Sequence, residues 1–179
     1  MLTIKIPDRE WFNDITQEFI TVKGTTLQLE HSLVSLSKWE AKWNIPFLSK
    51  DEKTIEQTLD YIRCMTITQN VNPMVYEQLS EENIEQINKY INTSKTATTF
   101  NNLDHKSSRE IVTSELIYYW MIALNVPMEC QKWHLNRLLT LIRVCNAKNA
   151  PPKKMSARDI MSRNSALNAA RRKKYNTKG

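Results

Sequence analysis

Leu2, Ile4 and Ile6 alternate with Thr3 and Lys5 at the start of the chain, the period of a half-buried strand. Phe19-Ile20-Thr21-Val22 is rich in aromatic and β-branched residues. With Pro7 to Gln17 between them, the two stretches predict a short N-terminal β-hairpin over about residues 1–24. Two strands alone are marginal in water, so this hairpin must lean on helices.

From Thr25 the period changes. Thr25 with Gln28 has capping-box spacing, and Leu29, Leu33, Leu36, Glu40 and Trp43 then trace a helical stripe that Pro46 ends. Ser49 with Glu52 marks a second start, followed by Ile55, Leu59, Ile62 and Met65 at core spacing. Pro73 opens a short helix, and Ser80 caps another whose apolar face is Ile84, Ile87 and Ile91. Thr93 to Ser108 is polar and aperiodic and reads as a long exposed loop.

Ser107 with Glu110 starts a helix that is apolar over a wide arc and therefore central. One side carries Ile111, Glu115, Tyr118, Ile122 and Asn125, and another Val112, Leu116, Tyr119 and Ala123. Pro127 suits the first turn of the last body helix. There Trp133, Arg137, Leu141 and Val144 form one row, and Leu138, Ile142 and Cys145 the next. Ser156 with Asp159 caps a final segment running to about Lys174, thinly apolar with Ile160, Met161, Leu167 and three alanines. The pattern predicts a mainly α fold, a helical bundle body with a short N-terminal β-hairpin and a basic C-terminal helical tail.

Charge divides the chain at Pro151-Pro152, a pair that cannot continue a helix. Residues 151–179 hold nine bases (Lys153, Lys154, Arg158, Arg163, Arg171, Arg172, Lys173, Lys174 and Lys178) and one acid, Asp159, a net +8. Residues 1–150 hold 16 bases and 18 acids, a net −2. A nearly neutral body, 1–150, thus precedes a strongly basic extension, 151–179, expected to be mobile alone and ordered by a partner. Its charge suits nucleic acid, with salt-sensitive affinity, or an acidic protein surface. A single aromatic there, Tyr175, gives little for single-strand stacking.

Composition then removes chemistry. Of 179 residues only Gly24 and Gly179 are glycine, against about 7% in ordinary usage. A phosphate loop, a dinucleotide fingerprint and a nucleophile elbow each need more glycine than that in one turn. Cys130 and His134 stand four apart, the sharpest metal pairing in the chain, but zinc needs three or four ligands. Cys145 would lie roughly 16 Å away on the same helix, and His31 and His105 have no ligand spacing. Cys130 or Cys64 with a histidine would still need an orienting group and an oxyanion hole. Glu81, Glu82 and Glu85 complement a helix dipole. Neither catalytic residue, metal nor cofactor is expected.

The three cysteines form an odd set in apolar surroundings, as reduced thiols of a cytoplasmic protein do. No apolar run reaches the ~18–20 residues of a membrane span, and the first residues lack the pattern of a signal peptide. Trp11, Trp39, Trp43, Trp120 and Trp133 mostly fall at core spacing. Trp39 and Trp43, one turn apart with Lys38 and Lys42 interleaved, read instead as an exposed aromatic patch for a protein partner.

Three runs carry a family resemblance. Thr26-Leu-Gln-Leu-Glu-His-Ser-Leu-Val-Ser-Leu-Ser-Lys-Trp-Glu40, Glu129-Cys-Gln-Lys-Trp-His-Leu-Asn-Arg-Leu-Leu-Thr-Leu-Ile-Arg143, and the ending from Pro151-Pro-Lys-Lys-Met-Ser through Ala169-Ala-Arg-Arg-Lys-Lys to Thr177-Lys-Gly179 resemble segments of small tail-module proteins of tailed bacteriophages and Gram-positive prophages. The resemblance covers nearly the whole chain and looks like a tail assembly chaperone. It implies a non-enzymatic, mainly helical protein of the host cytoplasm that binds the tape measure protein and keeps it soluble while the tail tube polymerises. The alternatives are a nucleic-acid-binding phage accessory protein working through the basic tail, and a structural tail or connector component of the virion. Homo-oligomerisation is compatible with each.

Overall fold

In a computed structural model, the described residues are 1–13, 17–100, 111–151 and 156–177. The protein is mainly α, with an N-terminal antiparallel ribbon. It divides into two compact units, residues 1–147 and 148–179.

The ribbon is longer than its alternation predicts. Strand β1 (Leu2–Ile6) pairs with β4 (Thr25–Leu29), and β2 (Arg9–Asn13) pairs with β3 (Glu18–Val22), all antiparallel. The expected partners Leu2–Ile6 and Phe19–Val22 therefore do not face each other. Thr25 to Leu29 is strand, not the first turns of a helix, because alternation of Leu27 and Leu29 inward with Thr26 and Gln28 outward lets it cover the core beside Ile4 and Ile6. Gly24 sits at the bend between the two strand pairs. A Cβ there would come within 2.3 Å of the Ile6 carbonyl oxygen, and its N–H donates to Asp8 Oδ1 at 2.6 Å. The chain leaving the second helix extends the ribbon, with the Ile67 N–H donating to the Gln28 carbonyl at 2.8 Å.

Helix α1 (Leu33–Trp43) begins only after this strand, capped by Ser32 in a reciprocal box with Ser35. It ends at Asn44, whose φ of 54° is left-handed. Helix α2 (Ile55–Met65) is capped by Thr54 with Gln57 rather than by Ser49 with Glu52. Its first apolar residue, Ile55, is 82% exposed, and the buried face is Tyr61, Ile62 and Met65. A 3₁₀ turn (Pro73–Gln78) and α3 (Glu81–Asn92, capped by Ser80) follow as the proline and serine predict.

Helix α4 (Ser114–Ala123) starts at a Thr113 cap. The Ser107–Glu110 box lies outside the described residues, as does part of the 93–108 stretch. The rows predicted for α4 are not its buried ones: Ser114, Ile117 and Met121 face the core. Pro127 precedes a 3₁₀ turn (Met128–Lys132), and α5 (Leu135–Asn149) begins only afterwards, burying Leu135, Leu138 and Ile142. The core formed by these faces is continuous from Ile4 on the ribbon to Ile142.

Unit 148–179 contains α6 (Ala157–Tyr175), a helix without a buried residue. Ser156 caps it, accepting from the Asp159 N–H at 3.1 Å, and Asn176 closes it with a left-handed φ of 50°.

Candidate interaction surfaces

Trp39 and Trp43 are not an exposed patch. Trp39 is wholly buried, its Nε1–H donating to the Gln57 carbonyl at 2.8 Å, and its ring meets Phe47 and Tyr61 edge-on. Trp43 is half-buried and donates from Nε1 to Asp60 Oδ2 at 3.0 Å. Asp60, itself buried, also pairs with Lys42. The carboxylate on α2 thus draws the second tryptophan inward, a long-range contact that one-turn spacing on α1 does not reveal. Trp120 and Trp133 are likewise half-buried, with the Arg137 guanidinium 4.1 Å from the Trp133 ring; the Trp11 side chain lies outside the described residues.

Cys130 and His134 do not share a helix face, because Cys130 is in the 3₁₀ turn and His134 precedes α5. His134 is instead brought to His31, ring centroids 5.2 Å apart, although nothing in their spacing signals it. His31 Nδ1 and the Tyr61 hydroxyl share a 2.6 Å hydrogen bond. His134 Nε2–H donates to the Tyr90 carbonyl at 3.1 Å, and the Tyr90 hydroxyl donates to Glu30 at 2.6 Å. Burial, with His134 alongside, pushes His31 down to about 4; burial also lowers His134. Two neutral imidazoles therefore staple the end of the ribbon to α2, α3 and the start of α5. Among the described residues no group of three or more His, Cys, Asp or Glu converges as metal ligands do.

Cys64 is half-buried and its thiol is held above its ordinary value mainly by burial, the reverse of a nucleophile's requirement. Glu81 and Glu82 occupy the first turn of α3 and are exposed, where they meet the positive end of its dipole.

The body's exposed large apolar side chains include Ile55, Ile67 and Ile111 singly, and two close pairs. On α4, Tyr119 and Ile122 are 64% and 67% exposed, beside exposed Glu115 and Ala123. At the ribbon, Phe12 and Phe19 face each other across β2 and β3 with centroids 5.1 Å apart, and both are exposed. A binary pattern finds apolar rows but assigns them to the core by default, which is why Tyr119 and Ile122 read as interior.

In the second unit, Arg158, Arg163, Arg171, Arg172, Lys173 and Lys174 are all exposed on α6. Lys153 and Lys154 lie outside the described residues. No described helix is long and apolar enough to cross a membrane. No protein-family model matches the chain, and comparison with curated proteins and with solved structures gives no significant match.

Proposed function

We propose that this protein is a non-enzymatic assembly factor of a tailed bacteriophage, acting in the host cytoplasm by binding another protein of the tail. The observation that carries the reading is the outward row of α4. Tyr119 and Ile122 stand more than three-fifths exposed on a helix whose other side holds Ile117 and Met121 in the core. Two large apolar groups one turn apart and turned to solvent, with exposed Glu115 beside them, support a protein contact at this face. A large aromatic and a β-branched side chain suit the apolar face of a partner helix. The sequence resemblance adds the partner's identity, the long tape measure protein, whose helices need cover before the tail tube forms.

Co-expression with the tape measure protein of the same phage tests this. The pair is expected to co-purify, and the tape measure protein to become more soluble. The double variant Tyr119→Ser/Ile122→Ser is expected to lose both effects while keeping its own unfolding midpoint. Failure of the wild-type pair to co-purify or gain solubility overturns the reading. Mass spectrometry of finished particles is expected to find the protein missing; its stoichiometric presence there makes it a structural tail component instead.

A further inference from the structure

Helix α6 has a charge arrangement that a one-sided protein contact does not require. Its 19 residues carry six bases and one acid. That acid, Asp159, lies in the first turn, where the Ser156 hydroxyl donates to its Oδ2 at 2.7 Å. At about 100° per residue, the six bases leave no bare arc wider than about 100° around the axis. Arg171, Arg172, Lys173 and Lys174 alone surround the last full turn.

The apolar residues do not make a docking seam. Ile160 and Leu167 are seven apart, but Asn164 and Arg171 occupy the positions that would continue their stripe. A helix laid into a protein groove needs apolar anchors at i, i+3 or i+4, and i+7, and one lying on a lipid surface needs segregated faces. Positive charge on all sides calls for a partner that is negative on more than one side.

The major groove of B-form DNA is such a partner. It is about 12 Å wide and walled by phosphates, and an α-helix with side chains is about 10–12 Å across. Asn164 and Asn168 lie one turn apart on an open face of α6 that Arg172 also lines. Arg171 and Arg172, at i+3 and i+4 from Asn168, flank that row on opposite sides. Amides facing base edges with guanidiniums reaching both phosphate walls is the geometry such a groove accepts. Duplex RNA does not fit, because its major groove is too narrow to admit side chains.

We propose that α6 is a DNA-binding helix that enters the major groove of duplex DNA, with Asn164 and Asn168 toward the bases and Arg171, Arg172 and Lys174 on the phosphates. This goes beyond the partner-protein reading and does not depend on it. The full-length protein is titrated against a labelled DNA duplex of about 30 base pairs, the same duplex as RNA, its single strand, and polyglutamate, over a salt series. DNA duplex is expected to bind at least tenfold more tightly than the other three. Its affinity should fall linearly on logarithmic axes with salt.

The variant Arg171→Gln/Arg172→Gln/Lys173→Gln/Lys174→Gln is expected to lose at least tenfold in affinity and to lower the salt slope by about 3, because Lys173 faces away from the groove. Because α6 buries nothing, the body of this variant should melt as the wild type does. Tyr119→Ser/Ile122→Ser should bind DNA normally. Polyglutamate or duplex RNA binding as tightly as duplex DNA overturns the proposal, and so does a quadruple variant with wild-type affinity.

Discussion

Glu40 Oε2 accepts the backbone N–H of Ser114 at 2.7 Å across 74 positions of chain, while its other oxygen accepts the Phe47 N–H at 2.8 Å. One buried carboxylate on α1 thereby fixes both the chain leaving α1 and the first turn of α4. The α4 end gains a further benefit, since a carboxylate at a helix N-terminus complements its dipole. Glu40→Gln keeps an acceptor for one N–H and turns an N–H₂ toward the other. It is expected to destabilise by about 1–2 kcal/mol, and Glu40→Ala, which leaves the buried Ser114 N–H and the half-buried Phe47 N–H without their acceptor, by about 3 kcal/mol or more. Urea unfolding ranks the pair. A Glu40→Ala loss no larger than that of Glu40→Gln would mean that water replaces the carboxylate.

Burial of the His31 ring, with His134 alongside, makes stability depend on pH. His31 is held down to about 4 by burial, against 6.5 in an unfolded chain. Above pH 6.5 both states hold a neutral ring and the histidine contributes no slope. Between pH 6.5 and 4 the unfolded chain takes up the proton and the folded one does not, so stability falls as pH falls; below 4 this contribution levels off. The interval corresponds to roughly 3 kcal/mol for His31 alone, and lowered His134 acts in the same direction. Urea midpoints measured between pH 7 and 5, above most carboxylate titration, are expected to drop steeply for the wild type and less for His31→Asn. Parallel slopes would refute a neutral buried His31.

The sequence shows the helical class, the capped starts of α3 and α6, and the basic extension. These signals are local, such as a serine before an apolar period or a run of bases after two prolines. What it hides is decided at long range. Thr25–Leu29 carries both a capping-box spacing and a strand alternation, and pairing with Leu2–Ile6 selects the strand. Trp43 reads as surface until Asp60 on another helix is placed beside it. Tyr119 and Ile122 read as core because periodicity marks a face without saying what covers it.

The shortage of glycine has a structural answer at Asn44. Its φ is 54°, and its N–H closes α1 by donating to the Glu40 carbonyl at 2.8 Å. Among the described non-glycine residues with positive φ, Asn44, Asn70, Asn125 and Asn176 are asparagines. Asparagine tolerates this region better than other side chains because its amide hydrogen-bonds locally. Asn44→Ala is expected to cost about 1 kcal/mol, whereas Asn44→Gly should be neutral or stabilising. Thermal melts of the two variants decide it. Alanine melting at or above glycine would show that the left-handed cap carries no strain.

Gly24 is required for space rather than for its backbone angles, since its φ is not positive. A methyl group there meets the Ile6 carbonyl oxygen at 2.3 Å and Pro7 C at 2.5 Å, both backbone atoms that no rotamer change can move. Gly24→Ala must therefore open the bend between the strand pairs, breaking the Gly24–Asp8 hydrogen bond and disturbing the Ile6–Thr25 end of the β1–β4 register. Overpacking of this kind costs about 1–3 kcal/mol. The loss should be concentrated in the ribbon, with amide exchange accelerating in Leu2–Ile6 and Thr25–Leu29 more than in α4 or α5. Asp8→Ala, which removes the hydrogen bond without the clash, should cost less than Gly24→Ala. If Asp8→Ala is the more damaging, the carboxylate cap rather than close packing holds the bend.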